Sequence, residues 1–361
     1  VFDLKEAMDK KMISTNRKVV TFGEVMLRLT APSFRRFSQT NEFIATYGGS
    51  EANVAVSLAN FGIPTEFVTR LPDNAMAQAC IASLRANGLG TEGIVFGGKR
   101  MGLYFLESGA SFRNSNVVYD REGSSFATLR PGMIDWEKIF ADADWFHWSG
   151  IAASLSQEGA DACLEALQTA DRMGLTISCD LNVRKKLWNY GRSVADVMLP
   201  LVQYSDVIFG AEPEYKEVFD IAPVGFQAVD TAYPLDLKGF ETFGQKISHI
   251  VPRCRKVFLE LRNTITSNHN LLAAVLYSDQ TLKYTGIYDI THEVDRVGTG
   301  DAFVGGMIYG LLTYPDNDQK ALEFALAASA LKNTVYGDFN QVTVEEVESL
   351  MKGNTSGRVA R

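Results

Sequence analysis

Short apolar or β-branched runs alternate with helix-period stretches along almost the whole chain, and few folds accommodate that order. Runs at 19–22, 66–70, 145–148, 176–179, 207–209, 257–261 and 273–277 read as strands. Apolar positions recur at helical spacing over 52–61, 75–86, 157–173, 194–203, 237–250, 302–312, 319–334 and 345–351. Start signals support several helices: Ser50 before Glu51, Asp135 before Trp136, and Thr343 with Glu346 as a capping box. Strand followed by helix, repeated, predicts an α/β fold with a mainly parallel sheet between two helical layers. Sites in such sheets gather at the carboxyl ends of the strands.

Two stretches, 26–47 and 99–129, break the alternation. They are rich in strand formers, aromatics and arginines and carry no crossover helix. They predict a small antiparallel flap over the carboxyl edge of the sheet, a lid that keeps water from a reacting centre. No linker marks a second domain between 19 and 351; residues 1–18 read as an N-terminal extension and 352–361 as a flexible tail. The uncovered strand edges of the lid predict pairing with another copy, as a dimer or higher oligomer.

Composition narrows the partners. Apolar residues make up 46% of the 361, enough for a large core, and the net charge of -8 comes without a basic tract. Nucleic acid and anionic membrane are therefore poor partners, and small molecules better ones. No apolar run approaches the roughly 20 residues of a membrane span. Cys80, Cys163, Cys179 and Cys254 are scattered, and His147, His249, His269 and His292 show no ligand spacing. A reducing, cytoplasmic setting is expected.

The chemistry concentrates at Asp295-Arg-Val-Gly-Thr-Gly-Asp-Ala-Phe303, which runs directly into a helical pattern. Gly298 and Gly300 let an anion reach the backbone, where unpaired N–H groups and the positive end of the helix dipole meet it. Asp301 would repel a phosphate, so it suits the other reactant, as the base that takes a proton from an attacking hydroxyl. An ordinary turn with Asp in the first helical turn would read the same way. A second glycine pattern, Gly93 to Lys99, has P-loop spacing, but Arg100 stands where a magnesium-binding Ser or Thr belongs and no helix follows.

Gly48-Gly49-Ser50-Glu51-Ala52-Asn53, opening a helix, pairs with the Gly298-Thr299-Gly300-Asp301 turn far downstream. Together they resemble the two signatures of the ribokinase-like (PfkB) carbohydrate kinases, and the resemblance spans Val19 to Met351. Within that superfamily the segments Gly23–Leu29, Asp180-Leu-Asn-Val-Arg184 and Gly337-Asp-Phe-Asn340 are most similar to 2-keto-3-deoxygluconate kinases. The resemblance implies a ribokinase-like three-layer sandwich with a β-sheet lid, and transfer from ATP to a sugar's primary hydroxyl. It implies Asp301 as catalytic base, with the N–H groups of Gly298, Thr299, Gly300 and Asp301 itself as anion hole. Gly49, Ser50, Glu51, Ala52 and Asn53 would hold the sugar, joined by Tyr104, Tyr119, Arg121, Arg184 and Asp338. A guanidinium suits a sugar acid because it pairs with carboxylate through two bonds.

The nucleotide side departs from the family pattern. Where relatives carry Asn-x-x-Glu, this chain has Ala211-Glu-Pro-Glu214, leaving Glu214 to order Mg2+ through water. The usual glycine-containing loop reads Leu261-Arg262-Asn263-Thr264, so Arg262 is expected on ATP, with Asn333 as a wall of the adenine pocket. Mg2+ is expected because the charge of ATP must be neutralised for in-line attack. Many relatives bind a monovalent cation such as K+ at a loop near Asp295. Three functions compete: a 2-keto-3-deoxygluconate kinase, a related kinase for fructose, the galactonate epimer or another sugar, and a catalytically silent sugar-binding protein. The arginines favour the first, and Asp301 argues against the last.

Overall fold

The structure, a computed structural model, describes residues 17–355. Of the expected extension (1–18) and tail (352–361), positions 1–16 and 356–361 lie outside the described residues. The strands, in chain order, are β1 (Lys18–Phe22), β2 (Met26–Thr30), β3 (Ile44–Gly48), β4 (Thr65–Leu71), β5 (Ile94–Phe96), β6 (Leu103–Glu107), β7 (Asn116–Asp120), β8 (Ala143–Ser149), β9 (Thr176–Asp180), β10 (Val207–Gly210), β11 (Lys256–Thr266), β12 (His269–Ser278), β13 (Thr281–Tyr284) and β14 (Tyr288–Ile290).

The large sheet runs β13-β12-β11-β10-β9-β8-β1-β4-β5, with β14 beside β12. From β5 to β11 every pairing is parallel, whereas β12 pairs antiparallel with β11, β13 and β14. Strand order reverses around β1, which lies between β8 and β4, and a crevice opens where neighbouring connections depart to opposite faces.

Successive residues of one strand feed two cores, because side chains alternate across a sheet. Val20, Phe22, Phe146 and Trp148 pack with Trp136, Ala166 and Leu167 on one face. On the other face Val19, Trp145 and Phe209 pack with Val54, Phe303, Met307 and Leu322. Fully burying one such Val, Leu or Phe contributes about 2 kcal/mol, so both layers are strongly held to the sheet between them. That rigidity fixes the strand ends on which the site is built.

The lid is a separate four-stranded sheet, β3-β2-β6-β7. It corrects the expected antiparallel flap: β2–β3 and β6–β7 are antiparallel, but the central pair β2–β6 is parallel. Each insertion forms its own antiparallel pair. Their first strands, β2 after β1 and β6 after β5, leave the same carboxyl edge and meet pointing the same way. A further link comes from the β11–β12 hairpin, whose Ser267 N–H donates to the Ser111 carbonyl in the lid at 2.8 Å. Among the described residues no helix is long and apolar enough to cross a membrane, and all four cysteines are buried and unpaired.

Candidate active site

Two helices bring the separated glycine motifs together. The Ser50–Asn60 helix starts at Gly49 and the Thr299–Thr313 helix at Gly298. They approach closely enough that a Cβ on Gly305 would lie 2.6 Å from the Ser57 Cβ. At their N-termini, Ser50 Oγ donates to Asp301 Oδ1 at 2.8 Å and Asn53 Nδ2 to Asp301 Oδ2 at 2.7 Å. Asp301 is therefore fixed by two neutral donors rather than by a cation. Burial pushes its carboxyl above the usual range, and the Asn53 and Ser50 hydrogen bonds pull part of the way back.

Gly298 has φ +84°, and a Cβ there would come within 2.2 Å of the Asp338 carbonyl oxygen, so both conformation and space require glycine. The N–H groups of Gly300 and Asp301 find no acceptor among the described residues. They lie in the first turn of a 15-residue helix, where a phosphoryl oxygen would satisfy them.

A cleft of about 480 Å³ surrounds this turn. From the sequence-predicted set it gathers Gly49, Ser50, Asn53, Tyr104, Tyr119, Arg121, Arg184, Glu214, Arg262, Gly298, Thr299, Gly300, Asp301 and Asp338. The carboxyl end of β9 supplies Asp180, the connections after β8, β9 and β10 supply Ile151, Asn182 and Ala211, and β11 supplies Glu260 and Arg262. Arg262 donates to Thr299 Oγ1 at 2.6 Å, tying the far end of the cleft to the glycine turn.

Three expected contacts need correction. Glu51 and Ala52 do not line the cleft: a helix turns about 100° per residue, so when Ser50 and Asn53 face the ligand, the two between them face the core. Glu51 is 1% exposed, accepts from Ser149 Oγ at 2.5 Å, and burial raises its carboxyl to about 7. Asn333 is likewise buried and off the cleft, because its amide bonds back to the Ser329 carbonyl at 2.8 Å. Its own carbonyl accepts from Val294 N at 2.8 Å and Asp295 N at 3.3 Å.

The lid closes one side. Tyr104 and Tyr119 are cross-strand partners with ring centroids 5.8 Å apart, and the Arg121 guanidinium lies 5.9 Å from the Tyr119 ring. Arg121 is partly engaged, since its Nε donates to Glu24 Oε2 at 2.8 Å. Arg184 forms no ion pair among the described residues, so more of its charge is available to a ligand. Asp338 accepts from Tyr104 Oη at 2.5 Å and from Arg28 Nη1 at 2.7 Å.

Asp180 and Glu214 face the same space. Burial, then mutual repulsion, raises Asp180 well above the carboxylate range; burial also raises Glu214, opposed by its bond from Ala211 N–H at 2.7 Å. Two neighbouring buried carboxylates, only partly relieved by the Ala211 N–H and the Arg184 charge, fit a hydrated divalent cation, which would screen them. Among the described residues no group of three or more His, Cys, Asp or Glu could bind a metal directly, so coordination through water and substrate suits this site better.

Asn182, Arg28 and Arg296 join the site beyond the residues expected from the motifs. Asn182 Nδ2 donates to Ser50 Oγ at 2.9 Å and to Asp180 Oδ2 at 3.2 Å from a backbone at φ +36°, so it orients the residue that holds Asp301. An Asn just past a strand end is the one local signal, since Asn tolerates positive φ. Arg296 lines the cleft from within the glycine-rich segment 295–303, whose pattern marks the turn but not this side chain.

The family model described as pfkB family carbohydrate kinase matches residues 16–232 and 270–343. A curated relative, the 2-dehydro-3-deoxygalactonokinase of Haloferax volcanii, is 31% identical over 345 residues, covering 94% of this chain and 98% of that protein. The crystal structure of 2-dehydro-3-deoxygluconokinase from Thermotoga maritima superposes with a TM-score of 0.86 at 40% identity, covering 94% of this chain and 100% of that one. A PfkB family carbohydrate kinase from Listeria grayi gives 0.84 at 29% identity, covering 93% and 100%.

Proposed function

The chain belongs to the pfkB family of carbohydrate kinases, and from that premise we propose that it phosphorylates 2-keto-3-deoxygluconate with ATP, giving the 6-phosphate. One observation carries the proposal: a carboxylate held by Ser50 and Asn53 stands beside a bare helix N-terminus, in a cleft that also contains free arginine. Asp301 accepts the proton of the primary hydroxyl as the oxygen attacks the γ-phosphorus. The Gly300 and Asp301 N–H groups stabilise the charge that develops on the transferred phosphoryl. A base raised by burial binds that proton better than a solvated aspartate would. Mg2+, held through water by Glu214 and Asp180, would neutralise the phosphate charge.

Arg184 and the free side of Arg121 suit the substrate carboxylate, with Tyr104 and Tyr119 against the carbon chain and Asp338 on a hydroxyl. Arg262 suits the nucleotide phosphates. The galactonate epimer is the second reading, supported by the Haloferax volcanii relative. The outer face of the lid, where β7 is exposed along its length, would pair with a second copy. A coupled assay over 2-keto-3-deoxygluconate, its galacto epimer, fructose and ribose tests the assignment. The highest kcat/KM is expected for a keto-deoxy acid; a preference for a neutral sugar would move the function elsewhere in the family, and no turnover on any would leave a binding protein.

A further inference from the structure

Lys332 is a buried cation outside the cleft. It ends the Asp318–Lys332 helix at 0% exposure, and its ammonium donates to the Val335 carbonyl at 3.1 Å and the Asp295 carbonyl at 3.5 Å. Burying an ammonium without a bonded carboxylate is unfavourable unless fixed dipoles and nearby charge compensate it. Here Arg28 bonds Asp295 at 2.5 Å and Asp338 at 2.7 Å, so two cations and two carboxylates make a neutral cluster. Burial lowers the affinity of Lys332 for its proton, while Asp295 and Asp338 restore part of it.

The cluster sits in a seam between two loops. One, from Glu293 to Gly298, leads into the phosphate cradle; the other, from Asn333 to Asp338, supports it. Gly337 N–H donates to Asp295 Oδ2 at 3.1 Å, and the Asp338 carbonyl presses on Gly298. Lys332 joins the same two loops through their carbonyls. A monovalent metal ion near Asp295, which the family resemblance raises, does not fit these residues. Asp295 already accepts from Val297 N, Gly337 N and Arg28, its carbonyl faces the ammonium, and an added cation would meet Lys332 and Arg28.

We infer that Lys332 is a built-in cation of the phosphate cradle: a positioning residue whose ammonium ties the two loops and makes turnover independent of monovalent metal ions. The inference rests on the kinase reading of that cradle, so its test needs one arm without substrate. Wild-type protein should melt at the same temperature, within about 1 °C, in NaCl, KCl and choline chloride of equal ionic strength, because no site binds an ion selectively to the folded state. Its turnover should be equal in the three salts. Lys332→Ala in choline chloride should lose about tenfold or more in kcat with the sugar KM within about threefold, since the cradle is displaced while the sugar contacts remain. KCl or NH4Cl should raise both its melting temperature and its kcat by filling the vacated space between carbonyls; Lys332→Met, whose side chain fills that space without charge, should stay slow in every salt.

A wild-type requirement for K+, an unchanged kcat in Lys332→Ala, or a folded Lys332→Ala that neither ion restores would each overturn the inference. Should the alanine variant not fold, the wild-type melting comparison decides alone. If no sugar is phosphorylated, the substrate assignment fails, while the melting arms still decide on Lys332.

Discussion

The Asp301 carboxylate accepts from Ser50 and Asn53 without an ionic partner, so removing its charge should disturb chemistry far more than binding. Asp301→Asn keeps shape and polarity but cannot take the proton. Turnover should fall by about 10² or more with much less change in sugar KM, measured by steady-state kinetics. Equal losses in both would assign Asp301 to binding instead. The arginines allow a finer test. Arg121 spends part of its guanidinium on Glu24, whereas Arg184 forms no ion pair among the described residues. Arg184→Ala should therefore lower kcat/KM for a keto-deoxy acid by about tenfold or more, as expected for a lost charge-assisted pair, and barely affect fructose. If both substrates suffer alike, the substrate carboxylate is bound elsewhere.

At the level of elements, the helix from Ser50 to Asn60 carries a titrating group on its inner face. The Glu51 carboxyl is raised by burial to about 7, while in the unfolded chain it titrates near the ordinary value of 4.5. The neutral form is the one the fold favours, so its stabilising effect is complete below the unfolded value and is lost as pH rises toward 7. Over that window the loss amounts to about 3 kcal/mol. Glu51→Gln stays neutral. Relative to wild type it should gain up to about 3 kcal/mol between pH 5 and pH 8, in paired urea titrations that cancel the other carboxylates. Parallel pH profiles would show that Glu51 ionises freely.

The same helix shows what local sequence can convey. Its glycine start and its polar residues at Ser50 and Asn53 were legible because a cap and a three-residue spacing are local properties. Which way Glu51 pointed was not, since that depends on Ser149, 98 positions away. Arg28 sits in an alternating Met-Leu-Arg-Leu-Thr strand and reads as the solvent-facing member. Strand parity instead turns it under the lid to Asp295 and Asp338, partners 267 and 310 positions distant. Asn333 reads as a wall of the adenine pocket, but the loop carrying Val294 and Asp295 folds over its carbonyl, a distant contact with no local trace.

For the whole molecule, the layered order of strands and helices was readable because parallel strands and amphipathic helices each leave a periodic trace; how copies assemble leaves only surface chemistry. On the lid, cross-strand pairing puts Phe105 and Val118 on one face, where Phe37 and Phe43 pack edge-on against Phe105. The opposite face carries Tyr104 and Tyr119, which turn toward the cleft. A sheet with a working inner face and an apolar outer one is incomplete as a monomer surface, and a second copy of the same sheet would cover it symmetrically. Sedimentation should accordingly give twice the 39.8 kDa of one chain at micromolar concentration. Val118→Asp puts a charge on the edge strand of that face without touching the cleft and should leave single chains. Because the inner face of the same sheet carries the tyrosines, losing the partner should loosen it and raise the sugar KM more than it lowers kcat. A wild-type monomer, or a Val118→Asp dimer, would place any self-association on another surface.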